Sequence, residues 1–258
     1  MLRLTARPDA RTALFFDFDD TLHDFHGAYI EALERAVAPV AARARPPLAP
    51  GELARRCLLP WARAWEHTMV GRPDAEALWR ERSAAVLEQA GLRPDATLAR
   101  GVRETYLTEM EARLRLFPDA LPALHRARAV VGPDGALGLL TNGPGGVQRA
   151  RLRALGLLER FTPVVISDEV GCSKPDPAFF AIALRAAAVR PQRAVLIGDN
   201  PATDVAGAGR SGLGSVWLAR AGAPLPADRR DVVPDATAGN LMEAVERAAE
   251  LLRRRRDG

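Results

Sequence analysis

The first strongly patterned stretch of the chain is Ala13-Leu14-Phe15-Phe16, four apolar residues that give way at once to Asp17-Phe18-Asp19-Asp20-Thr21. A short unbroken apolar run bounded by polar residues suits a strand buried on both faces of a parallel sheet, with its functional loop at the carboxyl end. From about Phe25 to Phe117 no comparable run occurs. Apolar residues recur there at helical spacing: Ile30, Leu33, Val37; Leu53, Cys57, Trp61, Trp65, Met69; Leu78, Val86, Ala90; and Leu98, Val102, Tyr106, Met110, Leu114. That spacing predicts four helices. Pro60 is expected to kink or restart the second, while Pro46-Pro47, Pro73-Asp74 and Pro94-Asp95 read as loops or helix starts. After Phe117-Pro118 the pattern alternates. Strands are predicted at Ala136 to Thr141, Pro163 to Ser167, Ala194 to Gly198 and Ser215 to Leu218. Between and after them, helices are predicted around Val147 to Leu155, Pro177 to Ala187, Asp204 to Ser211 and Leu241 to Leu252. The alternation implies βαβ units and a parallel sheet. The chain therefore reads as an α/β core made of residues 1–24 and 117–258, interrupted by an all-helical insert at 25–116.

Composition narrows the class. A length of 258 residues accommodates one full core and a smaller accessory domain. No apolar run approaches the roughly 18 residues of a membrane span, and the N-terminal residues lack the apolar stretch of a secretory signal. Two cysteines, Cys57 and Cys172, are too few for a disulfide framework or a structural zinc site, which fits a reducing cytoplasm. A pI of about 9.8 raises the question of nucleic acid, but the net charge is only +4. The arginines are interleaved with acids, as in Arg80-Glu81-Arg82, so they read as solvated helix faces. Neither a nucleic acid nor a membrane partner is expected, and the chain is expected to act as a monomer or homodimer. The basic run Arg253 to Arg256 reads as a frayed tail.

Candidate chemistry collects at the strand ends. Three predicted strands run directly into polar loops: Asp17-Phe18-Asp19-Asp20-Thr21, Thr141-Asn142-Gly143, and Gly198-Asp199-Asn200-Pro201-Ala202-Thr203-Asp204. A fourth connection, Ser173-Lys174-Pro175-Asp176-Pro177, carries the only lysine of a chain with 35 arginines. An ammonium is a compact point charge that fits where a planar guanidinium does not, so Lys174 marks a site. The plain alternative is a solvated surface lysine. In a parallel sheet these loops meet at one crevice, the topological switch point. Asp17, Asp19 and Asp199, with no histidine or cysteine expected nearby, form a hard oxygen site suited to magnesium. The Thr141 hydroxyl and the Asn142 and Gly143 donors suit phosphoryl oxygens, and Lys174 balances the remaining charge. Taken singly, each motif is also a common Asx-turn or helix cap; their order on successive strands gives them weight.

In that order the four motifs resemble the haloacid dehalogenase superfamily, in its phosphatase branch with a helical cap inserted after the first motif. The resemblance covers nearly the whole chain, and Thr141 to Phe180 is most similar to 5′-nucleotidase and N-acylneuraminate-phosphatase-like members. Asp20 stands where most relatives carry glycine. The resemblance implies a Rossmann-like, doubly wound parallel sheet with an inserted helical bundle. It also implies magnesium-dependent hydrolysis of a small phosphorylated metabolite, such as a nucleoside monophosphate or sugar phosphate, through an aspartyl-phosphate. Asp17 would be the nucleophile and Asp19 the general acid and base. Magnesium would be held by Asp17, Asp19 through its backbone carbonyl, Asp199 and Asp204, while Thr141, Asn142, Gly143 and Lys174 would hold the phosphoryl group.

The insert is expected to choose the substrate. Trp61, Trp65 and Trp79 are expected to fill its core rather than stack on a ligand. His23, His26, His67 and His125 are assigned no role. A carbon–halogen hydrolase of the superfamily expels no alkoxide and needs no second aspartate, so Asp19 argues against it. A sugar phosphomutase shares the core motifs, and a non-catalytic binding protein could share the fold.

Overall fold

The computed structural model describes residues 11–68, 75–220 and 232–255, with the side chains of 59, 60, 62–68, 75 and 76 left aside. The side chains of Trp65 and His67, and all of Met69, Pro73-Asp74 and Arg256, therefore lie outside what is described. Six parallel strands form one sheet: β1 (Ala13–Phe16), β2 (Ala136–Thr141), β3 (Val164–Ile166), β4 (Ala194–Gly198), β5 (Gly214–Leu218) and β6 (Ala236–Ala238). Their order is β3-β2-β1-β4-β5-β6. The chain winds outward from β1 to β2 and β3, then returns to the other side of β1 with β4. The switch point lies between β1 and β4, where a doubly wound sheet opens its ligand crevice.

Side-chain alternation along β1 explains both layers of helix. Leu14 and Phe16 join Leu137, Leu139, Val195 and Ile197 against α5 (Ala120–Val131) and α10 (Leu241–Arg254). Ala13 and Phe15 face the other way, with Leu140, Val165 and Leu196, against Phe179 and Phe180 of α8 (Pro177–Ala187). Both faces are buried, so the strand reads as a continuous apolar run.

The chain divides into two compact units, one from the segments up to His23 and from Leu116 onward, the other Asp24–Arg115. The second contains α1 (Phe25–Ala41), α2 (Pro50–Thr68), α3 (Ala75–Gln89) and α4 (Ala96–Ala112). Asp24 caps α1 by accepting from Gly27, and Asp95 caps α4 by accepting from Thr97 and Leu98. Of the two outcomes expected at Pro60, a restart does not occur, and α2 runs through it as one helix. Its neighbour Trp61 is fully buried and meets Tyr29, Trp79 and Tyr106 within that unit. Arg82 lies over the Trp61 ring at 5.0 Å, and the indole N–H donates to the Arg82 carbonyl at 3.0 Å. Trp61 thus packs the helical unit rather than awaiting a ligand.

Other differences have local causes. The third predicted strand stops at Ile166, because Ser167 opens the one-turn helix α7 (Ser167–Val170) and its hydroxyl accepts from the loop after β2. Before α9 (Ala206–Arg210), Pro201–Val205 forms a wide π-helical turn capped by Asn200. The arginine run is not a frayed tail within the described residues: Arg253 and Arg254 complete α10, and Arg255 donates to the carbonyls of Gln192 and Gly212. No described helix is long and apolar enough to cross a membrane.

Candidate active site

Asp17 follows the last residue of the central strand and is anchored there by its N–H, which donates to the Ile197 carbonyl of β4 at 2.9 Å. The next loop turns sharply at Asp20, whose φ of 59° is left-handed. Glycine adopts that conformation freely and aspartate tolerates it, which suits Asp20 to this turn. Arg220 fastens the loop by donating to the Thr21 carbonyl at 2.9 Å, while pairing with Asp119 and stacking on Phe117 at 3.7 Å.

Lys174 is not a surface residue. It is 4% exposed, and its ammonium donates to Asp17 Oδ1, to Asp204 Oδ1 at 2.7 Å and to the Leu140 carbonyl at 3.0 Å. All three of its hydrogens have partners. The other oxygen of Asp204 accepts from the Asn200 N–H at 3.0 Å. This close approach requires Gly198, since a Cβ there would lie 2.3 Å from the Asp204 carboxylate. Asp199 accepts from the Thr21 hydroxyl at 3.1 Å, and its carbonyl accepts from the Trp217 indole at 2.8 Å.

Oxygens of Asp17, Asp199 and Asp204 lie within 4.8 Å of one another. Three carboxylates there face one ammonium, so charge remains uncompensated. Burial pushes the Asp17 carboxyl up to about 7, with Lys174 opposing the rise and Asp204 adding to it. Asp199 is likewise raised well above its ordinary value by burial, then by Asp17 and Asp204. Burial opposes charge on Lys174, but Asp17 and Asp204 outweigh it and raise its pKa. An all-oxygen donor set with excess negative charge fits a hard divalent cation such as magnesium. Asp19 does not contribute its carboxylate to this cluster among the described residues.

The donors of the loop after β2 are engaged within the protein. The Asn142 side chain is paired with the backbone of Lys174, donating to its carbonyl and accepting from its N–H, both at 3.0 Å. The Gly143 N–H donates to Ser167 Oγ at 2.9 Å. An amide that clamps one peptide in both directions positions the lysine, and the Gly143 donor is engaged by Ser167. Thr141 is buried beside this clamp, its Oγ1 accepting from Gln148 Nε2 at 2.8 Å.

A histidine also stands in the site, contrary to expectation. His23 is fully buried, with Nε2 3.1 Å from Asp19 Oδ1. Gln148 donates to Asp19 Oδ2 at 2.9 Å, and Arg151 lies 3.7 Å from Oδ1. Burial would raise the Asp19 carboxyl, but His23, Arg151 and Gln148 outweigh it and hold it below its ordinary value. The sequence carried one signal for Gln148. On α6 (Gly145–Ala154) it shares the buried face with Gly145 and Leu152, a polar residue at core spacing.

The site is thus a doubly wound sheet with paired aspartates after its central strand, further carboxylates after β4 and a buried lysine between them. The model of the haloacid dehalogenase-like hydrolase family matches residues 12–212, and the chain belongs to that family. It is 36% identical over 248 residues to a phosphoserine phosphatase of Thermus thermophilus, covering 89% of this chain and 96% of the relative. It is 30% identical over 162 residues to (S)-2-haloacid dehalogenase 1 of a Pseudomonas species, covering 62% of this chain and 67% of the relative. Among solved structures, the Bacillus subtilis HAD-hydrolase YfnB, bound to magnesium, matches with a TM-score of 0.70 at 21% identity, covering 92% of this chain and 99% of that one. That last match is a likeness of fold.

Proposed function

We propose that this protein is a magnesium-dependent phosphatase that hydrolyses a small phosphomonoester by way of a phosphoryl group carried on Asp17. The observation that carries the reading is the contact of the Asp17 carboxylate with Lys174 at the switch point, with the Asp199 and Asp204 oxygens within 4.8 Å. Asp17 attacks phosphorus in line, and Lys174 orients its carboxylate while offsetting charge as the phosphoryl group transfers. Asp19 protonates the departing alkoxide, then takes a proton from the water that hydrolyses the aspartyl-phosphate. Asp17, Asp199 and the Asp19 backbone carbonyl would hold the magnesium, with Asp204 supporting them through its own bonds. When bound, the ion supplies charge neutralisation at the carboxylates and the phosphoryl oxygens. Thr141 is tied to Asp19 through Gln148, and its hydroxyl, which donates to the Asn142 carbonyl at 3.3 Å, would turn toward a phosphoryl oxygen when substrate binds.

Asp19 also separates this reading from carbon–halogen hydrolysis. A halide leaves without a proton, whereas an alkoxide does not, so a second aspartate held beside the nucleophile serves phosphate esters. The test is hydrolysis of p-nitrophenyl phosphate with magnesium, beside release of halide from a 2-haloacid. Halide release without phosphate release would overturn the proposal. Phosphoserine, nucleoside monophosphates and sugar phosphates, ranked by kcat/KM with products identified, would define the substrate and distinguish hydrolysis from phosphoryl migration.

Metal dependence has a signature besides activity. A carboxyl raised on folding from 3.8 to about 7 binds its proton more tightly in the folded chain than in the unfolded one. Its favourable contribution is complete below the unfolded pKa and is lost as pH rises through the folded one. Asp19, which is lowered, acts below that window. The EDTA-treated protein should therefore melt at a higher temperature near about pH 5.5 than near about pH 8, and magnesium should raise Tm more at the higher pH. EDTA should also abolish turnover, and magnesium should restore it. Undiminished hydrolysis after complete metal removal, or a magnesium shift independent of pH, would contradict the assignment.

A further inference from the structure

We propose that Gln148 and His23 are positioning residues that hold the two oxygens of Asp19 from opposite sides and set its aim toward the leaving group. The inference rests on the acid–base role of Asp19 given above. Both residues belong to the same compact unit as Asp19 but come from different elements, the loop after β1 and helix α6. Gln148 is 1% exposed and His23 is fully buried; Gln148 recovers its lost hydration in defined bonds, and the His23 ring is packed against Asp19. Gln148 Nε2 reaches Asp19 Oδ2 at 2.9 Å, Thr141 Oγ1 at 2.8 Å and the Asn142 carbonyl at 3.2 Å. It thereby ties the proton-transferring carboxylate to the loop that ends β2. His23 Nε2 reaches the other oxygen, Oδ1, at 3.1 Å. A carboxylate bonded through one oxygen can still pivot about its Cβ–Cγ bond, and a ring nitrogen packed 3.1 Å from the other oxygen limits that pivot. Asp19 is partly exposed and follows the last residue of the strand by three positions, so the backbone alone does not fix it. Misplacement of a catalytic group by about 1 Å can cost about a hundredfold in rate.

The test compares His23→Leu and Gln148→Met, which keep bulk and remove the donor, on glycerol phosphate and p-nitrophenyl phosphate. Each should lower kcat on the alkyl ester by about 10–100-fold with KM little changed. The release of p-nitrophenol in the first turnover should fall much less, since that leaving group departs without a proton. His23→Gln, which retains a donor, should recover most of the loss. In an Asp19→Asn background neither substitution should cost anything further, because the group they aim is already gone. Equal losses on both esters, or losses that add to a large Asp19→Asn defect, would remove the positioning role and leave the acid–base reading intact. An Asp19→Asn enzyme with undiminished turnover of glycerol phosphate would remove both. If either single variant fails to fold, the other gives the same comparison.

Discussion

Asp17→Asn should abolish turnover, with kcat falling by at least about 10⁴-fold, the scale seen when a covalent nucleophile is removed from a site whose other parts remain. The same variant should not be less stable in the absence of metal. Asp17 is raised to about 7, so at pH 8 the folded wild type holds an anion in a place that favours the neutral acid. Asparagine has the shape of that neutral acid. With EDTA near about pH 8, Asp17→Asn should melt at or above the wild-type temperature, and the difference should shrink toward about pH 5.5 as the wild-type carboxyl protonates. Steady-state kinetics and paired melts check this. Loss of activity together with a lower melting temperature at both pH values would mean that Asp17 acts through the fold.

Lys174→Met should fail on both counts. Removing one partner from a buried ion pair leaves the other charge uncompensated and typically costs about 3–5 kcal/mol. Here two carboxylates, Asp17 and Asp204, lose their shared cation. Although Lys174 lies on a loop, its burial makes it part of what holds the fold. Since Lys174 lowers the Asp17 pKa, its loss moves that carboxyl further up, and the destabilisation should be greatest at neutral pH and shrink on acidification. Lys174→Arg keeps the charge but must place a broad guanidinium where an ammonium makes three short bonds. Its kcat should fall about a hundredfold, with a smaller loss of stability than Lys174→Met. Urea unfolding and kcat on both variants provide the check. Wild-type turnover in Lys174→Arg would show that charge alone suffices.

The strands that carry the site were legible because they are buried on both faces. Ala13–Phe16, Ala136–Thr141 and Ala194–Gly198 are apolar runs that end where the polar loops begin. The edge strand Ala236–Ala238 has no such run; it forms by pairing with β5, helped by Asp235 accepting from Ser215. Lys174 announced itself by composition, the one ammonium in an arginine-rich chain. His23 did not, because a lone histidine after a strand has no meaning until the loop folds back and brings it to Asp19. The tie between the Asn142 side chain and the Lys174 backbone was not legible either, because its two ends lie 32 residues apart in sequence.

The central claim is that the phosphoryl group passes through Asp17, and an Asp19→Asn enzyme tests it most directly. With p-nitrophenyl phosphate that variant needs no acid for the first step but lacks the base for the second, so the phosphoryl-enzyme should accumulate. Mixing it with excess substrate and magnesium, quenching in acid and analysing the digested peptides by mass should show a burst of p-nitrophenol equal to the enzyme present. One phosphoryl group should then be found on the peptide containing Asp17. Continued p-nitrophenol release without a burst and without phosphoryl on Asp17, or a phosphoryl group on another residue, would contradict it.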